Sequence, residues 1–266
     1  MAKTFNSIHV KLTMSFGILV LIMSALSFFY TYTETKKAIK SITKNELQAL
    51  ASVIAASVDG ETLKTIRPGD ENTPKYRAIS EMLYGMQEAN QDIKYIYIYA
   101  HHDEKRVAFL VDAEYGHGKD VAKAGEIYEE TTPAMLAGLN QADSENDFSS
   151  DRWGTFLSAY SPIRDKSGRS VGAVGVDMLS EKVMEKQNFI GDTIYIILAI
   201  GLVVAAILIA MFSIPMIRDI KTLDRAAIDM AKGNREISVK ISRSDEIGEL
   251  AESIKKLSEV INKKIN

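Results

Sequence analysis

The sequence predicts an α+β domain between two membrane-spanning helices, followed by a helix–connector–helix segment. Three observations lead to this prediction. Residues 12–33 and 193–217 are uncharged apolar runs, and about 20 such residues suffice to cross a bilayer as a helix. The residues between the runs change from helical to strand periodicity, and the residues after 217 repeat their apolar positions in heptads.

We place the two spans at residues 12–33 and 189–213. The first run also has features of a secretory signal peptide, because Lys3 and Lys11 precede it and small residues lie within it. Its apolar length exceeds the roughly 7–15 residues of a signal-peptide core. The length therefore favours a retained membrane anchor.

The charges that flank the spans give mixed support for an orientation with both termini in the cytoplasm, which is the one that we expect for an inner (plasma) membrane protein. Positive residues prefer the cytoplasmic side, and basic residues precede the first span and follow the second: Lys3, Lys11, Arg218, Lys221 and Arg225. Four lysines within residues 34–44 oppose this orientation, because they would lie outside. With this orientation, residues 1–11 are a cytoplasmic tail, residues 34–188 an outer domain and residues 214–266 an inner segment.

The first half of the outer domain is predicted to be helical. Apolar residues between Glu34 and Val58 recur at three- and four-residue spacings and form one stripe, which Asp59-Gly60 ends. Thr73-Pro74 has the sequence of a helix cap followed by a first-turn proline, and it predicts a second amphipathic helix.

The second half of the outer domain is predicted to be an antiparallel sheet. The segments 94–100 and 106–112 read as one hairpin, and the segments 153–164 and 169–178, joined by a turn sequence, read as another. The strands of the first hairpin are apolar on both faces, which predicts a sheet that is covered on both sides. Gly172 and Gly175 predict a bulge or a close backbone approach in the last strand. The residues between the hairpins are less regular, with a short helix expected after Thr132-Pro133.

The motifs IKYIYIYA, FLVDAE and DRWGTFLSAYSPIRDKSGRSVGAVGVDM resemble a single Cache domain, the PAS-like extracytoplasmic sensor of bacterial receptors. In the last motif, aromatic-G-x-F-x-S-A-Y-x-P-I-R, D-x-x-G and V-G-V-D follow one another in the family's order. The resemblance covers nearly all of residues 34–188. It implies a long N-terminal helix, an antiparallel sheet and a cavity for a small ligand, as in the N-terminal half of methyl-accepting chemotaxis proteins and sensor kinases.

Residues 214–264 resemble a HAMP linker. Two heptad helices joined by a connector cannot bury both of their apolar seams alone. Family positions are matched by the proline that starts the segment, the glycine after the first helix and the D-E-x-G signature: Pro215, Gly233, Asp245, Glu246 and Gly248.

The HAMP resemblance implies a homodimer that forms a parallel four-helix bundle. It also implies that Glu246 ties the second helix to the first near the membrane, although an acid is favoured at any helix N-terminus. The expected core residues are Ile220, Leu223, Ala227, Met230, Ile237, Val239, Ile247, Leu250, Ile254 and Leu257.

The candidate ligand-binding residues lie on the predicted strands: Tyr97, Tyr99, Asp112, Trp153, Tyr160 and Asp177. Asp112 and Asp177 each end an apolar strand, where an acid that faces a cavity favours an amine or a cation. Equally, Asp177 is placed to cap the next helix and Asp112 to start a loop. The aromatic residues offer rings and hydroxyls for a pocket, whereas aromatic residues on strands often only fill a core.

Two other groups of residues raise the hypothesis of a metal site: His101, His102, Asp103 and His117, and the acids Asp143, Glu145, Asp147 and Asp151. Adjacent histidines on a strand point in opposite directions, and the acids lack the spacing of an EF-hand. A solvated turn and a hydrated loop are therefore the favoured interpretations, and we expect neither a metal nor a cofactor.

The sequence contains no motif that indicates catalysis, such as a phosphate-binding glycine loop, a nucleophile elbow or a metalloprotease motif. No histidine follows the second span to accept a phosphoryl group. The outer domain has 25 acidic against 19 basic residues, which disfavours a nucleic-acid partner, and the absence of cysteine excludes disulfides.

We expect a transmembrane receptor that binds a small ligand outside and relays the change through the second span to the HAMP bundle and an output module or partner protein. Two alternatives are open. The chain is the regulatory half of a sensor histidine kinase or nucleotide cyclase, or it is a membrane-anchored assembly protein whose outer domain binds no ligand.

Overall fold

A computed structural model of the chain describes residues 8–234 and 238–264, which fall into two units. One unit comprises residues 31–192, and the other comprises residues 1–30 and 193–266. The helices are α1 (Ile8–Ser57), α2 (Gly60–Leu63), α3 (Pro74–Glu88), α4 (Pro133–Gly138), α5 (Ser180–Ala231) and α6 (Glu246–Lys264), with a 3₁₀ turn at Asp70–Asn72. The strands are β1 (Ile93–His101), β2 (Val107–Asp112), β3 (Ile127–Tyr128), β4 (Asp143–Ser144), β5 (Ser149–Asp151), β6 (Gly154–Arg164) and β7 (Ser170–Leu179).

The strands of the unit 31–192 form one antiparallel sheet in the order β3-β2-β1-β7-β6-β4, with β5 paired to β6. Both predicted hairpins are present, as β1–β2 and β6–β7. The register on β7 slips by one residue next to Gly172, which is the bulge that the two glycines of this strand predict. The predicted combination of a long N-terminal helix and an antiparallel sheet is confirmed.

The sheet is covered on both faces, as the two apolar faces of β1 predict. One face packs against α1 and α3 and includes Ile96 and Ile98. The other face carries a second buried cluster, in which Tyr99 and Tyr160 pack against Met135 of α4. Side chains on alternate residues of one strand therefore enter two different cores.

Polar caps fix where the short helices begin. Thr73 accepts a hydrogen bond from the Tyr76 amide at the start of α3, and Thr132 accepts one from the Met135 amide at the start of α4. In both cases a proline occupies the first turn, where its missing N–H is not needed. These two sequence predictions are confirmed.

The lysines that oppose the predicted orientation have partners within the same unit. Lys40 forms an ion pair with Asp147 at 2.7 Å, and Lys44 donates a hydrogen bond to Asn146 at 3.0 Å. Lys37 pairs with Glu34 at 2.8 Å. These contacts leave the count of positive charges that opposes the predicted orientation unchanged, because neighbouring acids contribute little to that rule.

The turn between β6 and β7 is fixed to the corner between α1 and α2. Asp165 accepts hydrogen bonds from the Ser167 amide at 2.8 Å and from Lys64 at 3.3 Å, and the Ser167 hydroxyl in particular holds the pKa of this carboxyl well below its usual range. Gly60 lies so close to the Arg164 carbonyl oxygen that a Cβ atom would overlap it. Glycine at position 60 therefore permits this close approach.

The other unit contains the apolar parts of α1 and α5, each long and apolar enough to cross a membrane. In α5 the helix continues through Pro215 and ends after Ala231. Gly233 then has a φ of 83°, and the amides of Gly233 and Asn234 each donate to the last turn at 3.0 Å. This is the left-handed glycine termination that ends many helices.

The chain on the two sides of this glycine packs together. The small core consists of Leu223 and Ala226 of α5, Val239 of the connector, and Ile247 and Ala251 of α6. Three predicted core residues, Leu223, Val239 and Ile247, are buried here, and Ile220 and Ile254 pack against them. Ala226 and Ala251 were not predicted from the heptads.

The other predicted HAMP core residues are less buried in the single chain or lie outside the described residues. Leu250 and Leu257 are 49% and 54% exposed in the single chain, and Ala227 is also exposed. Met230 is partly buried, and Ile237 lies outside the described residues. Because a heptad seam also faces the partner helices of a bundle, burial within one chain tests only part of it.

The tie between α5 and α6 differs from the one that the family resemblance implies. Arg243 donates to Asp219 of α5 at 3.2 Å and to Asp245 at 3.1 Å, whereas Glu246 is exposed. Asp245 accepts a hydrogen bond from the Gly248 amide at 3.3 Å, and a Cβ atom on Gly248 would overlap the Arg243 carbonyl oxygen. In the described residues, the D-E-x-G signature thus shapes the start of α6, and Arg243 makes the link to α5.

Candidate functional site

A small cavity lies on the sheet face opposite to α1 and α3. Its volume is ≈ 30 Å³, which is room for about two water molecules. The lining consists of six aromatic and three acidic residues: Tyr95, Tyr97, Phe109, Tyr128, Trp153, Phe156, Asp112, Asp151 and Asp177.

The strand register brings Asp177 into this cavity. Asp177 on β7 lies opposite Tyr95 on β1 and opposite Ser158 on β6, so all three side chains share one face. Two residues earlier on β7, Gly175 lies opposite Tyr97, and its missing side chain leaves the space that the Tyr97 ring occupies. The Tyr97 hydroxyl then donates to Asp177 Oδ1 over a long 3.4 Å.

Asp177 is 5% exposed and lies within β7, three residues before α5 begins. Burial raises the pKa of its carboxyl to about 7, and the charge of Asp151 adds to this effect. Hydrogen bonds from Ser158 and Tyr97 offset only part of it. A buried carboxylate with so little compensation is costly, and a cation in the cavity would stabilise it.

This pKa predicts how stability depends on pH in the absence of ligand. A carboxyl whose pKa rises from 3.8 unfolded to about 7 folded contributes its stability fully below the unfolded value, and loses it as pH rises through 7. The loss amounts to about 4 kcal/mol, since each pKa unit corresponds to about 1.4 kcal/mol. Thermal melts of the wild type and Asp177→Asn from pH 4 to pH 8 measure it, and we expect the wild type to lose stability relative to the variant as pH rises. A constant difference across this range would contradict the raised pKa.

Asp112 lines the cavity but has strong partners of its own. Its Oδ1 accepts from the Glu114 amide at 2.8 Å, and its Oδ2 accepts from the Ala122 amide at 2.7 Å. Burial raises the pKa of this carboxyl. Asp112 therefore holds the loop that follows β2 against the cavity, as the loop interpretation of this residue predicts.

Asp151 is also engaged by its surroundings. Its Oδ1 accepts from the amides of Trp153 and Gly154 at 2.8 and 3.2 Å, and its Oδ2 accepts from the Tyr128 hydroxyl at 2.7 Å. Asp151 thus shapes the turn between β5 and β6 and orients the Tyr128 ring. Burial raises the pKa of Tyr128, so its hydroxyl remains a donor at neutral pH.

Trp153 forms one wall of the cavity. Its indole Nε1 donates to the Asp120 carbonyl oxygen at 2.8 Å, and its ring stacks on that of Tyr128 with 6.3 Å between centroids. On Trp153, the Arg152 guanidinium lies 3.9 Å from the ring centroid, and Arg152 also forms an ion pair with Glu126. The wall at Trp153 is therefore held by one neutral hydrogen bond and by ring contacts.

Two of the six candidate residues lie away from the cavity. Tyr99 is fully buried and donates its hydroxyl proton to the Met135 carbonyl oxygen at 2.9 Å. Tyr160 donates to Glu145 Oε1 at 3.1 Å. Both belong to the core beneath α4, so the structure favours the core-filling interpretation for these two tyrosines, whereas Tyr97, Asp112, Trp153 and Asp177 line the cavity.

Sequence reasoning missed five lining residues: Tyr95, Phe109, Tyr128, Asp151 and Phe156. Tyr95 shares the alternation of Tyr97 and was open to prediction from the pattern. Phe109 depends on a register slip between β1 and β2, which the sequence does not reveal. Tyr128 and Asp151 lie on strands of two and three residues, too short to show a periodicity.

The residues considered for metal binding have other surroundings. His101 and His102 are exposed, and His117 stacks on Tyr84 with 3.8 Å between ring centroids. Among the acids, Glu145 bonds Thr132 and Tyr160, and Asp147 bonds Lys40. Within the described residues, no three or more His, Asp or Glu side chains are arranged to hold a metal ion.

A family model for the HAMP domain matches residues 211–263. The HAMP resemblance of the sequence is therefore confirmed. No curated protein matches the chain.

Several solved sensor domains resemble the chain. The E. coli DcuS sensor domain is 15% identical with a TM-score of 0.39, over 58% of this chain and 98% of that one. The ligand-binding domain of the Campylobacter jejuni chemoreceptor Tlp3, solved with L-valine, is 12% identical with a TM-score of 0.39, over 62% of this chain and 65% of that one. The extracellular domain of the putative histidine kinase mmHK1S-Z2 is 12% identical with a TM-score of 0.38, over 59% of this chain and 62% of that one. The chain thus spans just under two thirds of the Tlp3 and kinase domains.

The HAMP domain is a signalling module without catalytic function, and its match begins within α5, a helix that is long and apolar enough to cross a membrane. A second such helix precedes the mixed helix and sheet domain. This is the organisation of a transmembrane sensory receptor.

Proposed function

We propose that the chain is a chemoreceptor-like protein of the inner membrane whose residues 34–188 are an extracytoplasmic Cache sensor for a small cationic ligand. The tail 1–11 and the HAMP domain 214–266 lie in the cytoplasm, and residues 12–33 and 189–213 cross the membrane. The observation that carries the proposal is Asp177, a buried carboxyl with weak partners that faces a cavity.

Asp177 also lies close in sequence to the part of the chain that would carry the signal. Only two residues separate it from α5, which continues without a break from Ser180 to Ala231 and so connects β7 to the HAMP domain. A ligand shifts the equilibrium between two receptor states only by its difference in affinity for them. Asp177 supplies such a difference in affinity, because a bound cation stabilises the receptor state in which the carboxyl of Asp177 is ionised.

Homodimerisation through the HAMP helices completes the proposal. Of the predicted seam residues, Leu250 and Leu257 on α6 and Ala227 on α5 are exposed in the single chain. A second copy would cover these seams in a four-helix bundle. The output then passes to a cytoplasmic module or partner protein. A sensor kinase or cyclase would use the same relay through α5 to the HAMP domain. The presence of the cavity disfavours the other alternative, an assembly protein that binds no ligand.

Cysteine labelling tests the proposed topology, and the chain has no cysteine of its own to interfere. Glu104→Cys lies in the exposed turn between β1 and β2, and Leu257→Cys lies on α6. With a membrane-impermeant maleimide on intact spheroplasts, we expect Glu104→Cys to be labelled, and Leu257→Cys only after lysis. Labelling of both before lysis would rule out a receptor that separates the two positions by a bilayer.

A further inference from the structure

We infer that the ligand of the cavity is a quaternary, fully methylated ammonium cation that carries no carboxylate. This inference rests on the proposed function, and it adds the chemical class of the ligand. Three properties of the lining lead to it: its rings, its charges and its free hydrogen-bond acceptors.

Six of the nine lining residues are aromatic, and their rings contact one another. Phe109 contacts three other lining rings in edge-to-face geometry, with centroids 5.3 Å from Tyr97, 5.5 Å from Tyr128 and 5.7 Å from Trp153. Tyr95 and Phe156 form a further edge-to-face pair at 5.6 Å. Ring faces attract cations through their quadrupoles, and aromatic cages bind quaternary and methylated ammonium groups in this way.

The charges exclude a ligand with a free carboxylate. The titratable lining residues are three aspartates and three tyrosines, and none of the lining residues described is Lys, Arg or His. Arg152, the neighbour of Trp153, is engaged with Glu126 and the outer face of the indole. A carboxylate in this cavity would meet like charges and no cationic partner, which argues against amino acids and dicarboxylates.

The hydrogen-bond acceptors of the cavity lining favour a quaternary ammonium over a primary one. Backbone amides bind Asp112 on both oxygens, and Asp151 receives three hydrogen bonds. Asp177 accepts hydrogen bonds from Ser158 and, over a long 3.4 Å, from Tyr97, and these offset only part of the cost of its burial. One acidic group is thus available for the ligand, whereas a buried primary ammonium has three N–H donors to satisfy. An ammonium group whose hydrogens are all replaced by methyl groups needs one counter-charge and apolar or ring surface. This cavity offers both.

A tetramethylammonium ion that occupies the cavity would contact its wall at Trp153. The Trp153 ring is held by its hydrogen bond to Asp120, by ring contacts and by the Arg152 guanidinium. Trp153 is the only tryptophan of the chain, so its fluorescence reports this contact without interference from others.

The test is a titration of the full chain in nanodiscs with four probes at constant ionic strength, followed by Trp153 fluorescence and thermal melts. The probes are tetramethylammonium, methylammonium, glycine betaine and L-valine, with sodium chloride as the blank. We expect saturable binding of tetramethylammonium, and binding at least about 10-fold weaker for each of the others. Glycine betaine has the same trimethylated head with a carboxylate added, so it isolates the effect of that group.

Ring variants test whether the lining rings bind the cation. Tyr95→Leu, at a half-buried position, should weaken tetramethylammonium binding about 5- to 20-fold, and Tyr128→Leu provides a second variant in case the first does not fold. Asp147→Asn, an exposed acid outside the cavity, is the matched control and should bind as the wild type does.

The outcomes separate the two proposals. If methylammonium or L-valine binds more tightly than tetramethylammonium, and Asp177→Asn abolishes that binding, the inferred ligand class is wrong and the receptor proposal stands. If no probe gives a saturable signal that depends on Asp177, both the ligand class and the cation-binding cavity are wrong.

Discussion

Asp177→Asn should weaken the binding of tetramethylammonium by about 30-fold or more. Removing one partner of a buried charge pair costs about 2–5 kcal/mol, and 1.4 kcal/mol corresponds to a factor of ten in affinity. Asparagine keeps the shape of the side chain and removes the charge, so the loss measures the electrostatic contribution alone. Isothermal titration of the full chain in nanodiscs is the appropriate measurement.

The stability of the same variant is the internal control. At pH 8 the wild-type carboxyl is ionised while buried, so Asp177→Asn should melt at the same temperature as the wild type or higher. A variant that loses binding and also melts early would show instead that Asp177 supports the fold. Asp147→Asn should leave both binding and melting unchanged.

Gly60→Ala should lower the stability of the sheet domain by about 3 kcal/mol, the upper part of the range for overpacking. The added Cβ atom would overlap the backbone carbonyl of Arg164, and backbone atoms yield less easily than the end of a side chain. For a domain of this size, such a loss lowers the melting temperature by roughly 6–12 °C.

Gly85→Ala is the matched control for this substitution. Gly85 lies inside α3, and no atom lies within 4 Å of the place where its Cβ would be added. Alanine in a helix interior is favoured over glycine by about 0.5–1 kcal/mol, so this variant should be slightly more stable than the wild type. Equal melting temperatures for the two variants would show that the contact between α2 and the β6–β7 turn is not close.

The sequence predicts the elements with strong periodicity or clear punctuation. The alternation around Tyr97 predicts β1 and its two faces, and Thr73-Pro74 and Thr132-Pro133 predict helix starts, which the structure confirms. The heptads and the D-E-x-G signature predict the HAMP segment, which the family match confirms.

The cavity itself was only partly open to prediction, because it depends on tertiary register. Asp177 and Tyr97 approach each other through pairing with Gly175, a long-range relation between strands 80 residues apart in sequence. Tyr160 is of a residue type that suits a pocket, yet α4 covers it. The sequence predicts this helix but does not reveal which strand the helix will cover. Phe156, four residues earlier on β6, lines the cavity instead.

We propose that a cation bound beside Asp177 changes how two HAMP domains pack against each other. Disulfide cross-linking of Leu257→Cys in native membranes, with and without tetramethylammonium, measures this most directly, because the chain has no other cysteine. We predict a saturable, ligand-dependent change in the rate of cross-linking that is absent when Asp177→Asn is added. A cross-linking rate that stays constant while Trp153 fluorescence reports full occupancy of the cavity would contradict the claim.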